Sequence, residues 1–304
     1  MGRPKTLKRT LETMMKSSLL PKQILIIDQS KEESDQKEIL EYRKIVESQG
    51  VEYLYQYQEI PSLTRARNKG AELATEEILI YSDDDVDVET DTFEKVYAIM
   101  QDETKAMIAG LDSTLNLSKR NAGGYLWGRK SYKKRKIGHV TKSVYGVFPL
   151  EFQKETDTEW AMGFFFVVRK SLLEKWQISW DEKLISYAYA EDLDFSYAYA
   201  KEAQKENLKC IFSTDVVVTH LQSQEYRIPS QKFTYMYVLH REYLSYKHFK
   251  GIRSRLLTRW SNLGMFFWRL LKRQKPWQLL KAQMACDKYR KMLKKGEIPI
   301  ELLK

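Results

Sequence analysis

The sequence contains very little cysteine. Cys210 and Cys286 are the only two among 304 residues and lie far apart, which argues against a disulfide framework or a cysteine-based metal site and fits a cytosolic compartment. Long uncharged apolar runs are also missing, because no stretch reaches the roughly 18 to 20 residues that span a bilayer. The hydrophobic fraction of 43% is still enough to build a core. We therefore expect a folded protein without a membrane-spanning helix.

Acidic residues are scarce in the last quarter of the chain, and this scarcity explains the net charge of +10. Residues 226–304 hold 19 Lys or Arg against 4 Asp or Glu, a net charge of +15, so residues 1–225 carry −5. Residues 119–142 contain nine cations and no acid, which leaves the rest of that region at −14. The sequence predicts an acidic body with one basic loop, followed by a basic tail.

Apolar runs and amphipathic segments alternate along the first 220 residues. The apolar runs are typical of buried strands and lie at 23–28, 51–56, 77–82, 105–111, 163–168 and 210–219. The amphipathic segments predict helices after Pro4, over 35–48, after Pro61 with Ser62 as the cap, and over 192–206. This alternation predicts an α/β fold with a doubly wound sheet flanked by helices.

Three adjacent carboxylates follow the strand at 77–82. Asp83, Asp84 and Asp85 repel one another, and a divalent cation such as Mg²⁺ would relieve this repulsion while binding substrate phosphate oxygens. In an open α/β sheet, the carboxyl ends of the strands form the ligand crevice. A solvated acidic turn or a helix cap is the simpler alternative. The position at a strand end favours a metal site.

A second pair of carboxylates precedes the helix expected near 192–206. Glu191 and Asp192 could cap that helix and interact favourably with its dipole. A carboxylate that faced the crevice could instead act as a general base. The segment alone does not decide between these two interpretations.

Other candidate ligand-binding residues lie beside the acidic strand end. Arg65 and Asn68 belong to the first turns of the helix after Pro61, where an anionic ligand would bind well, although an exposed helix face is the alternative. His220 ends the apolar run at 210–219 and could supply a nitrogen to a metal held by Asp85. A lone histidine is otherwise more often structural.

Taken in chain order, several segments resemble the family 2 glycosyltransferases, which have the GT-A-type nucleotide-sugar fold. They are GRPKTLKRTLETM, ILIIDQS, TRARNKG, the strand ending in SDDD, MGFFFVVRK and EDLDFSYAYAKE, followed by His220. The resemblance covers residues 2–220. It implies a mixed, doubly wound GT-A-type sheet in a catalytic domain at residues 1–225, with a basic helical extension at residues 226–304.

The resemblance also implies a role for each matching residue. It implies that the nucleotide sugar is bound by Asp28, Arg65, Asn68, Asp83 and Asp84. For a divalent metal, Mg²⁺ or Mn²⁺, it implies Asp83, Asp85 and His220 as ligands. Asp192 would be the catalytic base, and Glu191 could orient the acceptor instead.

An implied activity follows from these roles. We expect a sugar to move from a nucleoside diphosphate sugar, UDP- or dTDP-linked, to a saccharide or lipid-linked acceptor with inversion, in bacterial cell-surface polysaccharide synthesis. Family members normally carry an apolar strand directly before the GRPKTL segment, and here Met1 is one residue from that glycine. We therefore expect a central strand to be lacking, so that a catalytically impaired, truncated homologue is one alternative.

The basic tail permits two interpretations. Tyr, Trp, Phe and Leu alternate with Arg and Lys over residues 233–277, a pattern typical of helices that bind anionic membranes. Such binding would place the protein in the cytoplasm, peripherally on the inner face of the plasma membrane. Packing against the catalytic domain, or pairing with a second copy in a homodimer, is the other interpretation.

Two further function classes use the same residues differently. A metal-dependent phosphohydrolase would need the same carboxylates and arginines. A nucleic-acid binder would use the basic tail but would leave the acidic cluster unexplained, and no nucleic-acid-binding motif is found. We therefore expect no nucleic-acid partner.

Overall fold

The described strands form three separate sheets, of which the largest has helices on both faces. The computed structural model describes residues 2–115, 124, 126–130, 136–185, 188–221 and 229–303. The described helices are α1 Pro4–Met14, α2 Glu33–Glu41, α3 Arg43–Glu47, α4 Leu63–Leu73, α5 Thr92–Met100, α6 Lys170–Trp176, α7 Glu191–Lys205, α8 Ser230–His248, α9 Ile252–Leu271, α10 Trp277–Lys288 and α11 Arg290–Lys294, with a 3₁₀ turn at Ile300–Leu302. None of them is long and apolar enough to cross a membrane.

The larger sheet is mixed, as expected. The described strands are β1 Gln23–Asp28, β2 Glu52–Tyr57, β3 Ile78–Ser82, β4 Val86–Val88, β5 Lys105–Asp112, β6 His139–Val140, β7 Gly146–Val147, β8 Glu155–Asp157, β9 Phe165–Arg169 and β10 Lys209–His220. The main sheet has the order β3-β9-β5-β10-β4, and β8 pairs with β10. Only β5 and β10 run parallel within it. The prediction of an α/β fold with a mixed sheet flanked by helices is confirmed.

Two hydrophobic clusters cover the two faces of the main sheet. Strand β9 shows why, because its side chains alternate between the faces. Phe165 and Val167 belong to the cluster with α1, α2 and α5, whereas Phe166 and Val168 belong to the cluster with α7 and α8. All four side chains are fully buried, so this strand is covered on both faces.

The element boundaries correct several expectations. The single helix expected over 35–48 is two helices, α2 and α3, which meet at the buried Tyr42. The strand expected at 163–168 begins only at Phe165. Helices α5 and α6 and the short strand β4 were not predicted, since short elements give little periodic signal.

The basic tail contributes to a hydrophobic core that it shares with the first 225 residues. Helix α8 buries Met236, Val238, Leu239 and Leu244 in the cluster that also contains β9 and α7. The guanidinium of the fully buried Arg241 lies 3.9 Å from the centre of the Tyr145 ring and donates to Asn262 Oδ1 at 2.7 Å. The packing interpretation therefore holds for α8. The boundary between residues 225 and 226 stays a prediction.

Strands β1 and β2 form a parallel pair that is separate from the main sheet. Among the described strands, β1 pairs only with β2, and β3 pairs only with β9. Side chains of β1 and β3 line one cavity of about 2080 Å³. The expected lack of a central strand stays a prediction.

The start of α1 lies at one end of this cavity. Gly2 N donates to Ser30 Oγ at 3.2 Å, just beyond the carboxyl end of β1. Arg3 contacts Asp84 and Asp85, just beyond the carboxyl end of β3. A strand placed in the cavity parallel to β1 would therefore end next to residue 2.

We predict that an apolar strand added before residue 2 stabilises the fold. A segment of six residues would match the length of β1. Burying about four of its side chains contributes roughly 6 to 12 kcal/mol, and ordering six residues costs about as much. The net gain comes from backbone hydrogen bonds to the neighbouring strand, at about 1 kcal/mol each. The melting temperature should rise by a few degrees, roughly 2 to 5 °C. A Gly/Ser extension of equal length is the control, and an apolar extension with no greater effect than this control would contradict the prediction.

Candidate active site

The three predicted metal-binding residues converge where β3 and β10 end and β4 begins. Asp83 follows β3 and Asp85 immediately precedes β4, which pairs antiparallel with β10 in a register that places His220 opposite Val86. One ligand atom from each of Asp83, Asp85 and His220 lies within 4.8 Å of the others. The short strand β4 therefore brings a histidine that is distant in sequence next to the acidic cluster.

Backbone hydrogen bonds hold this acidic turn in place. Thr10 Oγ1 on α1 donates to the Asp84 carbonyl at 2.9 Å and accepts from Val86 N at 3.2 Å. Leu221 N donates to the Asp85 carbonyl at 2.9 Å. Helix α1 and the end of β10 thus fix the backbone of the turn from two sides.

The donor set fits a divalent cation. Around an ion with bonds of about 2.1 Å, the ligand atoms lie roughly 3 to 4 Å from one another. The three ligand atoms here lie within 4.8 Å of one another, so only small side-chain movements are required to bind an ion. Carboxylate oxygens suit Mg²⁺ and Mn²⁺ equally, while the imidazole nitrogen favours Mn²⁺. Asp85 Oδ1 lies 3.3 Å from His220 Nε2. This hydrogen bond raises the pKa of His220, and burial opposes the rise.

Arg3 is a site residue that the sequence analysis missed. Its guanidinium forms ion pairs with Asp84 and with Asp85, the latter at 3.2 Å between Nη1 and Oδ2. It thereby offsets part of the repulsion among the three adjacent carboxylates. Nothing in the spacing of residues 3 and 85 predicts this contact, because α1 must first pack beside β4.

The second carboxylate pair begins α7. Asp192 Oδ2 accepts from Gly163 N at 2.9 Å, and Oδ1 accepts from Leu193 N at 2.7 Å. The backbone before the helix is strained, since Ala188 and Ala190 have φ of 50° and 66°. The N-cap position is Ala190, and no side chain caps the helix, so Asp192 is not its cap. Asp192 lies in the first turn, where the helix dipole favours a carboxylate, and it also lines the cavity.

Both carboxyl groups bind protons more readily than usual. Burial raises the pKa of Glu191 to about 8; the charge of Asp192 adds to this effect and Arg67 opposes it. Desolvation also raises the pKa of Asp192, against the hydrogen bonds from Leu193 and Gly163. A carboxylate with a raised pKa is a stronger base, which is useful for proton abstraction near neutral pH.

Arg67 connects the two groups of carboxylates. Its guanidinium donates to Asp83 Oδ1 at 3.1 Å, to Glu191 Oε1 at 3.0 Å and to the Gly163 carbonyl at 2.9 Å. It lies 4.4 Å from the centre of the Trp180 ring, and its side chain is only 9% exposed. The metal-binding turn and the carboxylate pair are thus held in a fixed relation by one buried cation.

The remaining predicted residues take different positions. Asp28 lines the cavity and accepts from Ser30 and Tyr55. Arg65 also lines the cavity but is half exposed and pairs with Glu182 at 3.1 Å.

Asn68 has a structural role. Its side chain donates to the Trp180 carbonyl at 3.0 Å and accepts from Trp180 N at 2.8 Å. These bonds hold the loop that carries the Trp180 ring against Arg67. Nucleotide binding by Asn68 stays a prediction.

Comparison with protein families gives one match. The profile described as "Glycosyl transferase family 2" matches residues 2–177, which is more than half of the chain. No curated protein matches.

Solved structures with the same fold are distant in sequence. A Staphylococcus aureus TarS fragment in complex with UDP-GlcNAc is 14% identical with a TM-score of 0.54, covering 91% of this chain and 76% of its own. A Pyrobaculum calidifontis mannosyltransferase with GDP-Man and Mn²⁺ is 12% identical with a TM-score of 0.52, covering 94% and 72%. GalNAc-T7 with UDP, GalNAc and Mn²⁺ is 17% identical with a TM-score of 0.54, covering 94% and 55%. At these identities the likeness shows the fold.

Proposed function

We propose that this chain, which belongs to glycosyltransferase family 2, moves a hexose from a nucleoside diphosphate sugar to an acceptor hydroxyl with inversion of the anomeric carbon. One observation carries the proposal: Asp85, His220 and Asp192 line the same cavity, and Arg67 joins the two groups of carboxylates. A leaving diphosphate is assisted by positive charge, and an attacking hydroxyl is assisted by a base. The cavity has residues for both roles.

The residues divide the work of a single displacement. A divalent ion held by Asp83, Asp85 and His220 would neutralise charge on the departing diphosphate. Asp192 takes the proton of the acceptor hydroxyl while that oxygen bonds to the anomeric carbon and the bond to the diphosphate breaks. The amides of Gly163 and Leu193 hold the Asp192 carboxylate in one orientation. Glu191 would not act as the base in this scheme and would instead orient the acceptor.

The donor and setting follow from the same site. Two of the three compared structures contain UDP or a UDP-sugar and two contain Mn²⁺, which supports a UDP- or dTDP-linked donor with Mn²⁺ or Mg²⁺. The acceptor would be a saccharide or a lipid-linked saccharide of a bacterial cell-surface polysaccharide. The enzyme would then work in the cytoplasm, at the inner face of the plasma membrane.

We predict that Asp85→Ala abolishes metal-dependent nucleotide binding. UDP with Mn²⁺ at about a hundredfold excess over its dissociation constant stabilises a protein by roughly 2.7 kcal/mol. The wild-type chain should therefore show a clear rise in melting temperature that depends on Mn²⁺ and disappears with a chelator. In Asp85→Ala the metal site lacks one of its three ligands, so UDP should no longer bind through Mn²⁺ and the rise should be absent.

Asp87→Ala is the matched control. Asp87 lies two residues after Asp85, in β4, and pairs with Arg9, so this variant should keep the metal-dependent rise. A full rise in Asp85→Ala would show that the metal site is misassigned. Donor turnover with and without an alcohol acceptor tests the reaction class. Sugar phosphate and nucleoside monophosphate, released at the same rate with and without the acceptor, would indicate a phosphohydrolase, whereas a transferase releases the nucleoside diphosphate.

A further inference from the structure

The outward face of α9 carries large apolar side chains. They recur every three or four residues, which places them on one side of the helix, and they are Ile252, Leu256, Trp260, Leu263, Phe267 and Leu271. Leu271 is 83% exposed and Ile252 is 58% exposed. Helix α9 has 20 residues, so this outer face of α9 extends over about 30 Å.

The inward face of the same helix is unusually polar. Ser254, Thr258, Ser261 and Asn262 are buried there. Ser254 Oγ donates to the Lys142 carbonyl, Ser261 Oγ donates to Tyr145 Oη at 3.0 Å, and Asn262 contacts Arg241. These bonds fix the rotation of the helix. The chain thus holds small polar residues inside and large apolar residues outside, the reverse of a helix that only covers a core.

The surroundings of the outer face are strongly basic. Residues 252–281 contain eight Lys or Arg and no Asp or Glu. Two described residues of the basic stretch contact the same face, because the Trp127 ring lies 4.8 Å from the Trp260 ring and Trp260 Nε1 donates to the Leu126 carbonyl at 2.8 Å. Exposed apolar side chains and a high density of cations therefore occur together.

Exposed indole rings occur on and near this face. Trp260 belongs to the outer face itself, and Trp268 of α9 and Trp277 at the start of α10 are also exposed. Indole combines a large apolar ring with a hydrogen-bond donor, so it is favoured at the boundary between lipid headgroups and acyl chains. Lysine and arginine complement anionic headgroups, with their aliphatic parts along apolar surface.

We propose that the outer face of α9 binds an anionic lipid bilayer, with the helix parallel to the surface and its apolar side chains inserted below the headgroups. A second copy of the chain fits less well, because a symmetric contact would bring two basic surfaces together. The proposal concerns binding only and does not depend on which donor or acceptor the enzyme uses.

Vesicle co-sedimentation of the full chain tests this proposal. The wild type should bind vesicles of phosphatidylcholine with phosphatidylglycerol at low salt, less at high salt, and only weakly to pure phosphatidylcholine. The double variant Leu256→Gln with Leu271→Gln should partition at least about tenfold more weakly. Its melting temperature and its nucleotide-dependent stabilisation should match the wild type, since both side chains are exposed.

Leu40→Gln with Leu150→Gln is the matched control, because these leucines are also exposed but lie outside α9. This control should bind vesicles as the wild type does. Failure of the wild type to bind anionic vesicles at low salt would overturn the proposal, as would unchanged binding by the α9 variant. A dimer in solution that dissociates in the α9 variant would assign the face to a second copy instead.

Discussion

Replacing Asp192 by asparagine is expected to abolish sugar transfer while leaving donor binding intact. Asparagine keeps the size of the side chain and can still accept the hydrogen bond from Gly163 N, but it cannot take a proton. General base catalysis typically contributes about a hundredfold to ten-thousandfold in rate, so kcat should fall by at least about a hundredfold. UDP with Mn²⁺ should stabilise the variant as it stabilises the wild type, because the metal ligands are unchanged.

The pH profile makes the assignment more specific. A general base must be deprotonated, and desolvation raises the pKa of Asp192 above that of an ordinary aspartate. Transfer should therefore increase with pH through a limb that lies above the usual aspartate range. The residual activity of Asp192→Asn should lack this limb. If Glu191→Gln removes the limb and Asp192→Asn keeps it, Glu191 is the base.

Asp194→Asn provides a control on the same helix. Asp194 is buried and accepts from Lys247 at 2.7 Å and from His248 at 2.6 Å, so it anchors α7 to α8 instead of facing the cavity. Its replacement should lower the melting temperature with only a small effect on kcat. Full transfer activity in Asp192→Asn would show that the assignment of the base is wrong.

The order of segments along the chain predicts much of the fold. Apolar runs such as QILIID at 23–28 mark buried strands, because both faces of such strands are covered. Capping signals such as Ser62 mark helix starts, and Ser62 Oγ accepts from Arg65 N. These signals are local, and they appear in the sequence itself. The separation of β1 from β3 is not local, because it depends on which strand edges meet.

The site could be predicted only in part for a similar reason. Asp83, Asp85 and His220 end or border strands, and strand ends gather at one edge of a sheet, so their meeting follows from the topology. Arg3 and Arg67 differ, because each lies on a helix whose rotation against the sheet is set by packing. Residues 65 and 67 are two apart and point in different directions, and the sequence does not indicate which of them faces inward.

Arg67 is buried and Arg65 is half exposed. Replacing Arg67 should therefore have a large effect, and replacing Arg65 a small one. Arg67→Met would leave the buried Glu191 and the neighbouring Asp83 without their shared cation, and removing one partner of a buried ion pair typically costs about 3 to 5 kcal/mol. The melting temperature should fall by roughly 10 °C, and transfer should be lost. Arg65→Met removes only a half-exposed pair with Glu182, worth about 1 kcal/mol or less, so its melting temperature should barely change.

The loss in Arg67→Met should also grow with pH. Burial already raises the pKa of Glu191 to about 8 with Arg67 present, and removal of the cation should raise it further. Between the pKa of an unfolded glutamate, about 4.3, and this raised value, the folded state binds more protons than the unfolded state, so stability decreases as pH rises. Up to the folded pKa of the wild type, about 8, both proteins lose this stability at the same rate, and above it only the variant continues to lose it. The gap in melting temperature between Arg67→Met and the wild type should therefore be nearly constant from pH 5 to pH 7 and larger at pH 9. A gap that is the same at pH 7 and at pH 9 would mean that Glu191 is not the group that Arg67 neutralises.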